Sequence, residues 1–430
     1  MQTVPTSLAC LIASVMLVQA LGAPLRAQSH DHDHNYDEVD PWAGVKPPQA
    51  GPDSSAVAGF LTSLSVADPI VCQFVVHSLG NNWGDRDGEY QPGNLQAEHA
   101  VERVRQGLSR RVSDHAALSH LARALGDPHS CVRRAAARML GRSEEPESVR
   151  QLRQALRRDD PQMREAAALG LADAEDPAAF HDLSRALGDR QQAVVRMAAY
   201  ALGELEDARA VKPLGELLRS SDAGTRAGAA SALGEIEDIR ATDRLTPLVR
   251  DSDPRVRIAA IEALGEIEDH RGTAALMQAL SDNVTDVRRA AAQALGEVES
   301  PRAADALARA LDDPDVVVRR LAAQALGELD ELNRAPGRLM TALGAPDLEL
   351  TVIAASSLGE IADSVAVPAL SAAYAGAESR LRYTIVRALT EIDDRRGNAV
   401  LELAAREKDS NIRHVAAEAL KDRHGDDDDD

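Results

Sequence analysis

The sequence predicts an all-α fold: a right-handed α-solenoid (an α–α superhelix) of about ten 31-residue two-helix repeats. Three observations predict it. AlaLeuGlyGlu-type segments place an anchor glycine at Gly203, Gly234, Gly265, Gly296 and Gly327, each 31 residues after the last. Within each unit the apolar residues recur at helical spacing. Aromatics are only 2% of residues while Ala, Leu and Arg recur, a composition suited to close-packed short helices and poor in material for an aromatic-lined ligand pocket. A unit this short cannot bury its apolar face alone, so units must stack and share one core.

In the unit anchored at Gly265, Leu245, Leu248 and Val249 fall at i, i+3, i+4. Val256, Ala259, Ala260, Ala263 and Leu264 continue the pattern, giving two amphipathic helices. Asp253 followed by Pro254 supplies an N-cap and a first-turn proline for the second helix. The same device is expected at Asp127-Pro128, Asp160-Pro161 and Asp313-Pro314. Projected outward, the period lands on Ala172 and Gly141 upstream. Downstream it lands on Gly359, after one inserted residue, then Thr390 and Lys421. The predicted solenoid therefore covers 112–422. Upstream, Phe60 to Gly80 again reads as helix, turn and helix. Residues 81–111 take one degenerate repeat slot, with an Asn-, Gly- and Asp-rich inserted loop at 81–94 and a helix over Ala97 to Arg111. Residues 54–111 are thus a degenerate N-terminal cap. The polar, acidic segment 28–53, with Pro47-Pro48, is expected to be disordered, and 423–430 to be an acidic tail.

Leu8 to Gly22 form an apolar run of the length of a secretory signal core, short for a bilayer span. We read 1–27 as an export signal and place the mature chain in a periplasm or outside the cell. Cys72 and Cys131 then remain, and an exported chain can oxidise a thiol pair. Their helices are placed about two units apart, whereas a disulfide needs α-carbons within about 7 Å; buried, unbonded thiols are expected. Forty-eight Lys and Arg against 69 Asp and Glu leave a net charge of −21, a field that repels nucleic acid and anionic lipid. No nucleic acid partner and no membrane insertion after signal removal are expected; the oligomeric state stays open.

The pattern resembles HEAT repeats, and the ValArg-x-x-AlaAla-x-AlaLeuGlyGlu phrase, as in Val287-Arg288 to Gly296-Glu297, is most similar to the short variety named after phycobilisome lyase subunits. The resemblance implies a scaffold that binds partners, with a few enzymes on the same frame. Deoxyhypusine hydroxylase-like members hold iron with His-Glu dipeptides; none of the twelve His here is followed by Glu. Bilin lyases act inside light-harvesting cells, which conflicts with export, and DNA glycosylases of this class need a cationic face.

Four sets of residues are candidates for binding. An Arg recurs eight positions before the anchor, at Arg133, Arg164, Arg226, Arg257, Arg288, Arg319, Arg382 and Arg413, with Val195 and Thr351 as exceptions. We read this ladder as structural, each guanidinium pairing with a capping Asp of its own or the next repeat, such as Asp253 or Asp313; lining a groove for anionic ligands is the lesser reading. Acids follow each anchor: Glu204, Glu206, Asp207; Glu235, Glu237, Asp238; Glu266, Glu268, Asp269; Glu297, Glu299; and Glu328, Asp330, Glu331. They form either a solubilising edge or a salt-sensitive docking strip for a basic partner or divalent cations. His30, His32 and His34 offer ligands for copper, nickel or zinc. Trp83 and Tyr90 sit in the inserted loop and are candidates for partner recognition or for capping the core.

No GlyxSerxGly elbow, P-loop, HisGluxxHis or Cys-pair motif occurs. The reading is an exported, non-enzymatic scaffold for a protein partner, with no cofactor. The alternative is an envelope protein that captures copper, nickel or zinc through its His-rich N-terminus, and third is a lyase-like accessory enzyme.

Overall fold

The computed structural model describes residues 52–79 and 112–425, apart from Asp68, Glu144 and Asp330. All regular structure among these residues is helical, in two compact units divided after Asp207. Unit 1 contains four helix pairs: α1 (Ser54–Ser65) and α2 (Pro69–Ser78), α3 (His115–Ala124) and α4 (Ser130–Gly141), α5 (Pro146–Ala155) and α6 (Pro161–Ala174), α7 (Phe180–Ala186) and α8 (Gln192–Glu204). Unit 2 contains seven: α9 (Val211–Leu217) and α10 (Ala223–Glu235), α11 (Thr242–Leu245) and α12 (Pro254–Glu266), α13 (Thr273–Ala279) and α14 (Thr285–Glu297), α15 (Ala304–Ala310) and α16 (Val316–Glu328), α17 (Gly337–Ala342) and α18 (Leu348–Ile361), α19 (Val367–Tyr374) and α20 (Ser379–Ile392), α21 (Asn398–Ala404) and α22 (Ser410–Gly425).

Within each unit the second helices pack on one another in chain order, and from α3 onward each first helix packs on its own second. The sequence explains the closeness. Ala259, Ala260 and Ala263 of α12, and Ala291, Ala292 and Ala294 of α14, are buried on both flanks, while Leu264 and Leu295 are fully buried between the layers. Small residues let helix axes approach, and Leu fills the space between them. The anchor glycine belongs to the same contact. A Cβ at Gly265 would collide with the Glu297 carboxylate, and one at Gly234 with Glu266. Each Gly-Glu pair therefore admits the glutamate of the following repeat.

The caps differ in detail from the Asp-Pro expectation. Asp253 caps α12, accepting from the Arg255 N–H at 2.9 Å, and Asp160 caps α6 through Gln162. Ahead of α16 the cap is Asp315 rather than Asp313, and ahead of α4 the backbone turns at His129 rather than Asp127. Leu245, Leu248 and Val249 are buried as predicted. Only four residues of that segment are α-helical, because Pro247 lacks an N–H and Thr246–Arg250 tighten into a 3-10 turn.

The N-terminal pair overturns the expectation of unbonded cysteines. α1 packs on α3 and α4, and α2 on α4. Cys72 and Cys131 form a disulfide with α-carbons 5.7 Å apart, and the Arg142 guanidinium donates to the Leu79 carbonyl at 2.9 Å. The two helices are neighbours in the stack, not two units apart, since α2 packs directly on α4. At the other end α22 continues through Gly425. Arg423, expected in the tail, is held by Asp393, Asn398 and the Leu389 carbonyl.

Candidate binding surfaces

The arginine ladder recurs with regular pairing among the described residues. Arg226 reaches the Asp251 carboxylate through Nε and Nη2, both at 2.8 Å, and Arg288 reaches Asp313 at 2.8 and 3.0 Å. Arg164 pairs with Asp189 at 2.7 and 2.9 Å, Arg257 contacts Asp282 at 2.9 Å, and Arg382 contacts Glu407 at 2.9 Å. In every case the acid lies 25 residues on, in the loop of the next repeat. In Arg257 and Arg288 the Nη1 nitrogen turns back to its own loop, to the Asp251 carbonyl at 2.9 Å and to that of Asp282 at 3.0 Å, whereas in Arg382 it is Nη1 that takes Glu407. Asp251 therefore joins two rungs, its carboxylate taking Arg226 and its carbonyl taking Arg257.

The hydrogen bonds from Arg164 and Arg226 hold Asp189 and Asp251 below the usual carboxylate range. At Asp313 burial pushes the other way, and the bonds from Arg288 and the Asp315 N–H prevail. The pairing acids are not the capping ones. Of the two expected partners, Asp313 does pair, with Arg288, whereas Asp253 serves its own helix and Asp251, two residues earlier, takes Arg226. The signal that finds the true partners is the 25-residue offset from Arg to Asp, which capping motifs mask.

The acids after each anchor separate into three roles. Glu204, Glu235, Glu266 and Glu297 end the second helices and are half-buried; Glu297 also accepts from Gln293 at 3.0 Å. Asp238 and Asp269 act as caps, accepting from the N–H groups of Arg240 at 2.9 Å and Arg271 at 3.0 Å. Asp269 takes the Thr242 hydroxyl as well. Asp207, also half-buried, occupies the same place in its repeat.

Between these sets Glu206, Glu237, Glu268 and Glu299 are exposed, with φ of 48°, 52°, 54° and 54°. This is the left-handed position that closes the second helix, its N–H bonded to the anchor carbonyl, as from Glu237 to Gly234 at 2.7 Å. Glycine is favoured there because a side chain in this region costs about 1 kcal/mol or more. Glu237→Gly and Glu268→Gly are each expected to raise stability by about 1 kcal/mol, measured by urea denaturation; an unchanged midpoint would show that the backbone there carries no strain. Glu331 has the same backbone, Glu328 accepts from Gln324, and Asp330 is outside the described residues.

His30, His32, His34, Trp83 and Tyr90 lie outside the described residues, as do the export signal and loop 81–94. Among the described residues no group of three or more His, Cys, Asp or Glu is arranged to hold a metal ion, and no helix is long and apolar enough to cross a membrane.

Sequence reasoning missed one cluster, on the second helices of unit 1. Asp173 of α6 is buried and bonded to Arg138 of α4 at 2.8 Å. Burial pushes its carboxyl up to about 7 despite Arg138 and Arg142. Tyr200 of α8, whose phenol is raised by desolvation and by Glu204, lies within electrostatic reach of Asp173. Its members do share register positions, Arg142, Asp173 and Glu204 one residue after their anchors and Arg138 and Tyr200 three before, but the residue type changes from repeat to repeat, so no recurring motif marks the cluster.

The model of the family described as HEAT repeats matches the chain in overlapping spans at residues 57–172, 118–203, 149–234, 183–263, 211–294, 242–327 and 273–351. The chain belongs to the HEAT-repeat family. It is similar in structure to an engineered protein, with 22% identity, 71% of this chain and 98% of that one covered, and a TM-score of 0.47. It is also similar to the complex of CpcE and CpcF of phycocyanin lyase from Nostoc sp. PCC7120, with 24% identity, coverage of 57% and 93%, and a TM-score of 0.35. Kap95p, in a structure with RanGDP, is 14% identical, with coverage of 85% and 60% and a TM-score of 0.51, a likeness of fold alone. No match was found among curated proteins.

Proposed function

We propose that this HEAT-repeat chain is an exported, non-enzymatic scaffold that holds a basic protein partner along the edge bearing Glu237, Glu268 and Glu299, with Glu206 at the equivalent position of unit 1. The observation that carries the reading is the backbone at these positions. The fold needs no carboxylate there, since Ala362 takes the same left-handed backbone, and glycine is expected to be more stable, yet four successive repeats present an exposed Glu. Strain kept at a surface position points toward use of the side chain. The neighbouring Glu and Asp of each cluster are occupied with packing and capping, which narrows the strip to one residue per repeat. Family membership supports partner binding in general, and Kap95p, which shares the fold, is a protein that binds RanGDP. The disulfide supports export, because such bonds persist in oxidising compartments.

The test combines two sets of substitutions in the chain lacking residues 1–27. Glu206, Glu237, Glu268 and Glu299 changed together to Gln remove the charge and keep the strained backbone; changed to Gly they remove both. Both variants are expected to retain at least tenfold less of a partner captured from an envelope fraction at low salt, while only the Gly set gains stability. Retention equal to wild type at every salt concentration would eliminate the acidic edge as the docking surface.

A further inference from the structure

Ladder arginines fall into two groups. Arg226, Arg257 and Arg288 give Nη1 to carbonyls of their own loop and Nη2 to an Asp of the next loop, joined in Arg226 and Arg288 by Nε. Arg319 keeps the first half of this arrangement, with Nη1 at 2.8 Å from the Asp313 carbonyl and 3.1 Å from that of Pro314. The second half differs by sequence. The loop Leu311-Asp312-Asp313-Pro314-Asp315 corresponds to Leu343-Gly344-Ala345-Pro346-Asp347, so Ala345 stands where the preceding repeat has the pairing Asp.

The surrounding acids are already engaged. Asp313 pairs with Arg288, Asp315 with Arg289, Asp347 with Arg320 and Asp312 with Arg338. One positive charge is left over, on a guanidinium whose orientation is fixed by two carbonyls. Gly344 and Pro346, on either side of Ala345, are exposed, so solvent reaches this loop. The Arg320–Asp347 contacts, at 2.8 and 2.6 Å, pin the loop against the start of α16 and place Leu348 beside it. Among the described residues Leu348 is one of seven large apolar side chains left exposed, at 38%.

We propose that Arg319 is a docking point for an acidic side chain of a protein partner, taken bidentately as Asp313 is taken by Arg288, with a neighbouring apolar residue of that partner resting on Leu348. The proposal rests on the scaffold reading and adds a second, oppositely charged contact to it. A planar guanidinium already held in place loses little freedom on accepting a carboxylate, and the paired rungs show the geometry such a complex adopts. Arg133 does not offer the same opening, being buried and followed at the pairing position by Arg158.

The probe is the acetylated and amidated hexapeptide with the sequence of residues 311–316, titrated into the full chain while arginine Nε–H resonances are followed by NMR; Arg319→Lys identifies the Arg319 signal by its loss. The Arg319 signal is expected to move and saturate at millimolar peptide, with at least tenfold weaker response to the same peptide carrying Asn for Asp. In Ala345→Asp the internal carboxylate should hold Arg319 and abolish the response. A signal that ignores the peptide, that follows sodium sulfate or the Asn peptide equally well, or that still responds in Ala345→Asp would overturn the proposal. The envelope capture separates the two readings. Equal retention by wild type and Ala345→Asp counts against Arg319 alone, whereas a wild-type chain that retains nothing counts against the scaffold while the peptide titration still decides the site.

Discussion

Asp313→Ala is expected to destabilise unit 2 by about 2–3 kcal/mol, since removing one partner of a largely desolvated pair strands the other. The Asp313 and Arg288 side chains are only 9% and 12% exposed, so water cannot readily replace the lost carboxylate. The substitution also removes the acceptor of the Asp315 N–H, bonded at 2.8 Å, and loosens the loop from which Arg319 is held. Cost above a surface ion pair, about 0–1 kcal/mol, follows from this triple use. In a stack whose stability is a sum of neighbour interfaces, the weakened step is that between α14 and α16. Urea denaturation should show a lowered midpoint or a separate first transition. A loss below about 0.5 kcal/mol would reduce the ladder to surface decoration.

The same rungs fix the sign of the acid response. Asp189, Asp251 and Asp313 have folded-state affinities for protons below their ordinary values. Their contribution is therefore fully present above the unfolded Asp value of about 3.9 and is lost as pH falls through the lower folded values. The ladder should hold through neutral pH and fail below about pH 4, and Asp313→Ala should blunt that acid loss.

The repeat and its register were legible because they rest on local chemistry repeated many times. An anchor glycine, two amphipathic stretches and a run of small residues leave a period that no single exception hides. Pairing across repeats was less legible. Asp253 followed by proline announces a cap, and so drew attention from Asp251, whose partner is a quarter of a hundred residues earlier in the chain. The acids after the anchors looked alike in sequence because composition does not reveal backbone φ. Only the left-handed turn at Glu237 and Glu268 distinguishes an exposed carboxylate from the capping Asp238 and Asp269 beside it. Assigning 81–111 a full repeat slot, and hence separating Cys72 from Cys131, treated chain length as distance along the stack; an insertion can lengthen the chain without separating the helices on either side.

That pairing leads to the other large effect. Cys72→Ser, or reduction of the native chain, is expected to weaken the hold of α1 and α2 on α3 and α4 by about 4 kcal/mol, the chain-entropy contribution of a cross-link closing a loop of this size. The bond spans 59 residues, and a long loop is where a cross-link restricts the unfolded chain most. The noncovalent contact it reinforces includes Val57, Phe60, Leu61 and Leu64 of α1 and Val75 and Val76 of α2, all buried, and the Arg142 guanidinium bonds the Leu79 carbonyl at the end of α2. Among the described residues this pair packs on α3 and α4 alone, and the end of a stack is the part most ready to fray. Amide hydrogen exchange of α1 and α2 should therefore accelerate on reduction, approaching a thousandfold by the conversion of about 4 kcal/mol at 1.4 kcal/mol per tenfold, whereas α12 to α16 keep their protection. Unchanged exchange in Cys72→Ser would assign the docking to packing alone and remove the support that the disulfide lends to export. Loss confined to α1 and α2 would instead make the oxidising compartment a condition for a complete N-terminal end of the stack.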